Sequence, residues 1–158
     1  MKIYADTSFL ISWLYGKDKN HKLARDWFGR YEFDDWIISA WSEFETVNRL
    51  RGLCLAEKGP KSEVIESIRR FFKHLLANGI LKRQPVSWLR VMANAHEISS
   101  LFAAEQKARS ADILHVAILE QLQPDIFISG DADQVSLGAA TGFESVNFLS
   151  PTSQAEIL

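Results

Sequence analysis

The sequence predicts an α/β fold in which a mainly parallel β-sheet is flanked by helices. Short apolar runs alternate along the chain with longer segments of helical periodicity, and this alternation is typical of βαβ units. The chain has 158 residues, of which 47% are hydrophobic and 24% charged, values that suit one globular domain with its own core. Repeats and low-complexity segments are absent from the sequence. We therefore expect a single domain over residues 1–150 and a loose tail over residues 151–158.

The first part of the chain predicts two strands, each followed by two helices. The strands are the apolar runs KIYA (2–5), which ends at Asp6, and WIIS (36–39), and short apolar runs are typical of buried strands. Apolar residues at helical spacing, with Gly or Asn-Gly stops, predict helices over residues 7–15, 21–31, 42–56 and 61–77. Thr7 or Ser8 is a candidate N-cap of the first helix, and Ser42 with Glu45 fits an S-x-x-E capping box.

The second part continues the alternation. The run ILKRQPV (80–86) has a weaker strand pattern, and helical spacing then predicts helices over residues 87–107 and 110–122. IFIS (126–129) is a clear apolar strand, followed by a helix over residues 132–141 and a last strand, SVNF (145–148). Since strands separated by helices pair in parallel, their carboxyl ends are expected to meet at one edge of the sheet.

The net charge of −2 conceals a strong asymmetry along the chain. Residues 49–109 hold twelve basic and five acidic residues, whereas residues 110–158 hold seven acidic residues and neither Lys nor Arg. A basic middle beside an acidic end is compatible with a nucleic acid that is held by one part and cut by the other. The same middle is equally compatible with amphipathic helices whose charged faces are solvated.

Several classes of protein are disfavoured by composition. The single cysteine, Cys54, excludes an internal disulfide framework and fits a reducing cytoplasm. The histidines and the cysteine lack the spacing of a zinc site. The apolar N-terminal stretch is short and is interrupted by Asp6, so it fits neither a signal peptide nor a membrane-spanning helix.

Four acidic residues stand where a strand is expected to hand over to a helix, or in the first turn of a helix: Asp6, Glu45, Asp112 and Asp131. Taken singly, each is explained as a helix cap or as a charge that complements the helix dipole. Taken together, they would crowd negative charge at one sheet edge, and a divalent cation would remove that repulsion. We therefore expect all four to meet in one pocket that binds Mg²⁺ or Mn²⁺, with Glu43 and Asp133 outside it.

Such a metal site suits phosphodiester hydrolysis, because the ion can activate a water molecule and neutralise charge on the leaving oxygen. Four polar neighbours are candidates for contacts with a phosphate or a metal-bound water: Thr7, Ser8, Asn48 and Arg109. Asn48 follows Glu45 by one helical turn and so shares its face. For His115, three residues after Asp112, a packing or hydrogen-bonding role is favoured over a catalytic one.

These pieces resemble the PIN-domain ribonucleases, particularly the VapC-like toxins of toxin–antitoxin pairs. The matching segments are YADTSFL, the E-x-x-N-x-L-R helix that starts at Glu45, the R-x-x-D-x-x-H-x-A stretch that starts at Arg109, and the S-G-D-x-x-Q stretch that contains Asp131. They span nearly the whole chain in the family's order. The resemblance implies a PIN-like three-layer sandwich and a metal-dependent endoribonuclease with the four acids at its centre. It also implies an RNA substrate, a homodimer and a small antitoxin partner.

The chain departs from this pattern in two respects. Ser129 stands where the family often has Thr, and the chain is long for the toxin branch, with the extra length expected around residues 57–90. A PIN-fold RNA-processing nuclease outside a toxin pair, or a non-catalytic PIN module that binds RNA or protein, therefore remains an alternative. A haloacid-dehalogenase-type phosphohydrolase needs an acid where Ser8 stands, and a receiver domain needs a lysine that residues 110–158 lack.

Overall fold

The structure is a computed structural model that describes residues 1–150, without the side chains at positions 103 and 104. The strands within it are β1 (Lys2–Ala5), β2 (Asp35–Ile38), β3 (Lys82–Arg83), β4 (Ile126–Ser129) and β5 (Ser145–Asn147). The helices are α1 (Thr7–Leu14), α2 (His21–Arg30), α3 (Ala40–Leu53), α4 (Ser62–Ala77), α5 (Trp88–Gln106), α6 (Ser110–Leu122) and α7 (Ala132–Ala140). The tail predicted over residues 151–158 lies outside the described residues. Within residues 1–150, none of the helices is both long and apolar enough to cross a membrane.

The strands form one sheet in the order β3-β2-β1-β4-β5, and every neighbouring pair is parallel. From β1 in the centre, the chain moves outwards through β2 to β3. It then returns to the other side of β1 and continues through β4 to β5. The strand order therefore reverses between β1 and β4, and ligands of open α/β sheets bind beyond the carboxyl ends of the strands at such a reversal. The expected parallel α/β architecture is confirmed.

Helices cover both faces of this sheet. Successive side chains of a strand point to opposite faces, and the strand residues divide accordingly between two apolar clusters. One cluster packs against α1, α2 and α4 and contains the strand residues Ile3, Ala5, Trp36, Ile38 and Ile128. The other packs against α5, α6 and α7 and contains the strand residues Tyr4, Ile37 and Phe127. This is the expected three-layer sandwich, and it holds the central strands β1 and β4 rigidly between two cores.

Among the predicted elements, the extent of β3 and the start of α3 were wrong. β3 comprises only two exposed residues at the sheet edge instead of residues 80–86, because the flanking chain leaves the ladder soon after it pairs with β2. α3 begins at Ala40, two residues earlier than predicted, because Ser39 is its N-cap and accepts a hydrogen bond from the Ser42 amide at 3.1 Å. The Ser42–Glu45 capping box therefore does not form, and Glu45 lies in the second turn of α3, where its carboxylate is available to other partners.

Candidate active site

The four predicted acids, Asp6, Glu45, Asp112 and Asp131, line one cavity of about 250 Å³ at the carboxyl ends of β1 and β4. Asp6 directly follows β1, and Asp131 lies two residues after β4. Helix α3, which packs against α1, brings Glu45 to the cavity, and the first turn of α6 brings Asp112. Side chains from four parts of the chain thus converge where the strand order reverses.

Of the four polar residues predicted to lie beside the acids, three line the cavity and one does not. Thr7, Ser8 and Arg109 line the cavity, as does His115. Asn48 is exposed and is not among the lining residues, whereas Arg49 is. Both follow Glu45 at spacings that share a helix face, and only the packing of α3 against α1 decides which of the two reaches the cavity. Arg49 was missed by the sequence analysis, although its i+4 spacing from Glu45 was the available signal.

Asp6 is almost completely buried, with 3% of its surface exposed. Its Oδ1 accepts hydrogen bonds from the Phe9 amide at 2.9 Å and the Ser8 hydroxyl at 2.8 Å, and its Oδ2 accepts one from Ser129 at 3.0 Å. Asp6, and neither Thr7 nor Ser8, is thus the N-cap of α1. Burial raises the pKa of Asp6 above its ordinary value, against the opposing influence of nearby His115 and of these hydrogen bonds. The site therefore contains one carboxyl group, that of Asp6, whose ionised form is destabilised by burial.

Glu45 is held from two sides. The Thr7 hydroxyl donates to its Oε2, and His115 Nε2 lies 2.9 Å from the same oxygen. Partial burial opposes ionisation, but the hydrogen bonds from His115 and Thr7 outweigh it and lower the pKa of Glu45 below its usual value. Glu45 is therefore a carboxylate at neutral pH, and His115 Nε2 must be the donor because a carboxylate only accepts.

Behind Glu45, a chain of buried polar side chains runs back into the otherwise apolar second core. His115 Nδ1 lies 3.1 Å from the Tyr4 hydroxyl, which is 2.7 Å from Ser42 Oγ and 3.0 Å from Ser39 Oγ. Since Nε2 donates to Glu45, Nδ1 is the ring nitrogen that can accept a hydrogen bond from the Tyr4 hydroxyl, and the Tyr4 oxygen accepts from the serines. Burial raises the pKa of Tyr4, so it remains a neutral donor. We call these four side chains (Ser39, Ser42, Tyr4 and His115) the buried relay.

Asp112 and Asp131 are joined by Arg109. Asp112 Oδ2 accepts from the Arg109 backbone amide at 2.9 Å and from its Nε at 3.3 Å. Arg109 Nη2 donates to Asp131 Oδ2 at 2.9 Å. The other oxygen of Asp131, Oδ1, caps α7 by accepting from the amides of Asp133 and Gln134. Asp112 and Asp131 therefore both have the capping role that their positions suggested. Both also accept a hydrogen bond from the Arg109 guanidinium, which links them.

Gly130 allows the loop after β4 to approach the loop after β1. Its amide donates to Ser8 Oγ at 2.7 Å. A Cβ atom at this position would lie 2.8 Å from Phe148 Cε1 and 3.2 Å from Ser8 Oγ. Only glycine therefore fits between the buried Phe148 ring and the Ser8 hydroxyl that also supports Asp6.

We expect Gly130→Ala to lower the free energy of unfolding by about 1–3 kcal/mol, the usual cost of overpacking a rigid site. Urea denaturation in EDTA measures it. Gly29→Ala is the matched control, because a Cβ atom at Gly29 in α2 meets nothing within 4 Å; it should stabilise by about 0.5–1 kcal/mol. Equal effects of the two substitutions would contradict the tight fit at Gly130.

The donor chemistry of the cavity suits a hard divalent cation, since carboxylate oxygens are preferred ligands of Mg²⁺ and Mn²⁺. In the described part of the chain, however, no three His, Cys, Asp or Glu side chains already form a group that would hold an ion. Hydrogen bonds explain this arrangement, because Asp6 is bound by Ser8, Phe9 and Ser129, while Asp112 and Asp131 are bound by Arg109. The residues fit a metal by type, while in this structure their carboxylate oxygens are held by other side chains and backbone amides.

The two acids predicted to lie outside the cavity do so. Glu43 forms an ion pair with Arg83 at 2.9 Å, and the exposed Asp133 is not a lining residue. A larger cleft of about 440 Å³ lies between α3 and α4 and is lined by Arg51, Arg69 and Arg70 as well as by Glu63 and Glu66. Its size does not make it the catalytic candidate, because it lacks the convergence of carboxylates at the strand ends. Its arginines belong to the basic middle of the chain.

Comparison with known proteins is consistent with this geometry. Residues 3–139 match the family model of the PIN domain. The chain belongs to the PIN domain family. The matched segment contains all four cavity acids, and the resemblance inferred from the sequence motifs is confirmed at the level of family and fold.

Solved structures share the fold of this PIN domain. One is VapC20 of Mycobacterium tuberculosis, a sarcin–ricin loop cleaving toxin, with a TM-score of 0.66 and 17% sequence identity, covering 92% of this chain and 97% of VapC20. Another is FitAcB from Neisseria gonorrhoeae, with a TM-score of 0.65 and 17% identity, covering 92% of this chain and 97% of that one. At such identities the likeness concerns the fold alone. A search among curated proteins finds no match.

Proposed function

We propose that this PIN domain is a divalent-metal-dependent endoribonuclease and the toxin of a toxin–antitoxin pair. In this proposal it acts in the cytoplasm as a homodimer, and a small antitoxin protein is its partner. The observation that carries the nuclease proposal is the convergence of Asp6, Glu45, Asp112 and Asp131 on one cavity at the strand-order reversal. The fold likeness to VapC20, a toxin that cleaves the sarcin–ricin loop, supports the toxin part.

The same four carboxylates are the groups that would hold Mg²⁺ or Mn²⁺. The chemistry that such an ion supplies is activation of water and neutralisation of charge on the phosphodiester. The protein's own contribution is to keep Glu45 ionised and fixed in one orientation by Thr7 and His115. Such fixation matters because catalytic groups are effective only when they are held close to the productive geometry.

The cations that line the cavity also have a role in this proposal. Arg49 and Arg109 are the basic residues among the lining side chains, and a guanidinium pairs well with a phosphate through parallel hydrogen bonds. They would attract the RNA backbone to a cavity that otherwise carries concentrated negative charge. Ser8 and Thr7 are already engaged by Asp6 and Glu45, so in this proposal they orient the acids before they contact substrate.

The direct test is RNA cleavage by the purified full chain. We expect single-stranded or loop-containing RNA to be cut internally in Mg²⁺ or Mn²⁺ and to remain intact in EDTA. Expression in a bacterial host should arrest growth if the chain is a toxin. Metal-dependent cleavage without growth arrest would favour an RNA-processing nuclease outside a toxin pair. RNA binding without cleavage under any metal condition would favour the non-catalytic PIN module.

Within the basic middle, the α4 side is proposed to bind the RNA backbone. Arg70 is the most accessible test position there, because it is exposed on α4 at the arginine-lined cleft. We expect Arg70→Glu to weaken RNA binding in EDTA and to reduce the salt slope of log K by about 1 to 2, because phosphate contacts release counterions. Fluorescence anisotropy at several salt concentrations measures this.

Arg90→Glu is the matched control for this substitution. Arg90 is also exposed but lies on α5, which packs on the opposite face of the sheet from α4. It should leave the salt slope unchanged. If Arg70→Glu left the salt slope unaltered, α4 would be a solvated amphipathic helix that does not bind RNA. Arg69 is less suitable for this test, because it is partly buried and paired with Glu66.

A further inference from the structure

One guanidinium group links two of the cavity acids across two helices. Arg109 is the N-cap residue of α6, and its side chain reaches from Asp112 in its own helix to Asp131 at the start of α7. The contacts are 3.3 Å from Nε to Asp112 Oδ2 and 2.9 Å from Nη2 to Asp131 Oδ2. This is a bridge between residues that the metal-site proposal assigns to the same ion.

Helix capping does not account for this bridge. The Asp112 carboxylate accepts from the backbone amide of residue 109, a bond that any residue except proline would supply there. Asp131 caps α7 through Oδ1, whereas Arg109 binds Oδ2. Both helix caps would therefore persist without the arginine side chain. The arginine side chain adds a positive charge next to two carboxylate oxygens. They are Oδ2 of Asp131, which takes no part in the α7 cap, and Oδ2 of Asp112.

A divalent ion bound to Asp131 would need Oδ2, the oxygen that the guanidinium now occupies, because Oδ1 caps α7. At Asp112 the guanidinium holds Oδ2, so an ion bound to this carboxylate would lie next to the same positive charge. Two cations cannot share such a position, because they repel each other and compete for the same lone pairs. The Arg109 guanidinium has solvent into which it can be displaced, since 72% of its side chain is exposed. The Asp112 carboxylate is only 7% exposed, but it keeps the hydrogen bond from the Arg109 backbone amide. The bridge also explains why no group of three metal-binding side chains stands ready in the described part of the chain.

We propose that Arg109 is a resident counter-cation that competes with the divalent metal ion for Asp112 and Asp131. In the metal-free protein it screens the repulsion between the two carboxylates. When the ion binds, the guanidinium is displaced towards the mouth of the cavity, where it is free to pair with an RNA phosphate. This inference rests on the proposed function, because it presumes that the four acids form the metal site.

The test is Mn²⁺ binding to the purified full chain without RNA, measured by isothermal titration calorimetry. Arg109→Gln retains the backbone cap and removes the charge, and we expect it to bind Mn²⁺ about fivefold more tightly than the wild type. Arg109→Lys keeps the charge but loses the planar fork that spans both acids, so it should give an intermediate affinity. A second readout is thermal stability: Arg109→Gln should melt lower in EDTA and gain more from added Mn²⁺ than the wild type.

Arg49→Gln is the matched control. Arg49 lines the same cavity, so its loss lowers the positive charge near the acids, but among the described contacts no ion pair joins it to Asp112 or Asp131. Direct competition is supported if Arg109→Gln increases the Mn²⁺ affinity clearly more than Arg49→Gln does. Equal tightening by both, or unchanged or weaker Mn²⁺ binding in Arg109→Gln, overturns it. Absence of Mn²⁺ binding in every variant and in the wild type would overturn the proposed metal site and this inference with it.

Discussion

Asp6→Asn is expected to lower metal-dependent RNA cleavage strongly while leaving the metal-free protein at least as stable as the wild type. The substitution removes a charge from the proposed metal site, and loss of one such electrostatic group lowers turnover by roughly 10²- to 10³-fold. The fold should tolerate it, because an asparagine oxygen can still accept from Phe9 and Ser8, and its amide can donate to Ser129 Oγ.

The pH dependence of this gain has a definite sign. Burial raises the pKa of Asp6 in the folded chain above its unfolded value. Such a group contributes stability below the unfolded pKa of about 3.9, and this contribution is lost as the pH rises through the folded pKa. Asparagine does not titrate. The advantage of Asp6→Asn in EDTA should therefore be larger near neutral pH than in acid.

Thermal melting in EDTA at about pH 7.5 and about pH 4 measures this difference, and RNA cleavage in Mg²⁺ measures the loss of activity. Asp133→Asn is the control, because Asp133 is exposed and lies outside the cavity; it should retain cleavage. Full activity in a clean preparation of Asp6→Asn would remove Asp6 from the proposed catalytic centre. A stability gain that grows towards acid would contradict the raised pKa.

His115→Leu is expected to reduce cleavage by about 10- to 100-fold, the usual effect of removing a group that orients a metal ligand. Leucine fills the buried space but cannot donate to Glu45 or accept from Tyr4. Glu45 then keeps only Thr7 as a partner, and its orientation is no longer fixed from the side of the second core. The loss should fall mainly on kcat rather than on KM, because His115 is only 1% exposed and acts on the reaction through Glu45.

Two further variants separate positioning from general destabilisation. Tyr4→Phe removes the hydroxyl behind His115 and leaves the His115–Glu45 bond in place, so its effect on cleavage should be smaller even where its effect on stability is comparable. His115→Gln restores a donor towards Glu45 and should recover part of the activity. Steady-state kinetics together with urea denaturation distinguish these outcomes. If the loss of cleavage in His115→Leu were fully explained by a smaller fraction of folded protein, the buried relay would have a structural role alone.

Much of the candidate site could be predicted because its residues are tied to local signals. Asp6 and Asp131 each follow a short apolar run, and parallel strands bring such positions to one edge of a sheet. Asp112 lies in a first helical turn, where acidic residues are common. The order of these signals along the chain, together with the E-x-x-N-x-L-R helix, was enough to indicate the PIN family.

Other features could not be predicted, because they depend on rotations of whole elements. The choice between Asn48 and Arg49 follows from a small rotation of α3 about its axis. The choice between Ser39 and Ser42 as the N-cap follows from where the chain leaves β2, since both serines precede acidic residues at similar spacings. Sequence periodicity locates a helix face to within about a residue or two at its ends, and that uncertainty is as large as these differences.

The sequence by itself determined the alternation of strands and helices, and with it the parallel sheet and the positions of four acids at its carboxyl edge. These properties depend on residues near one another along the chain. Only the tertiary structure decided what each acid contacts. Arg109 binds Asp131 across 22 residues, Glu45 meets His115 across 70, and Tyr4 meets His115 across 111. Such contacts arise from packing helices on a sheet, and local patterns do not encode them.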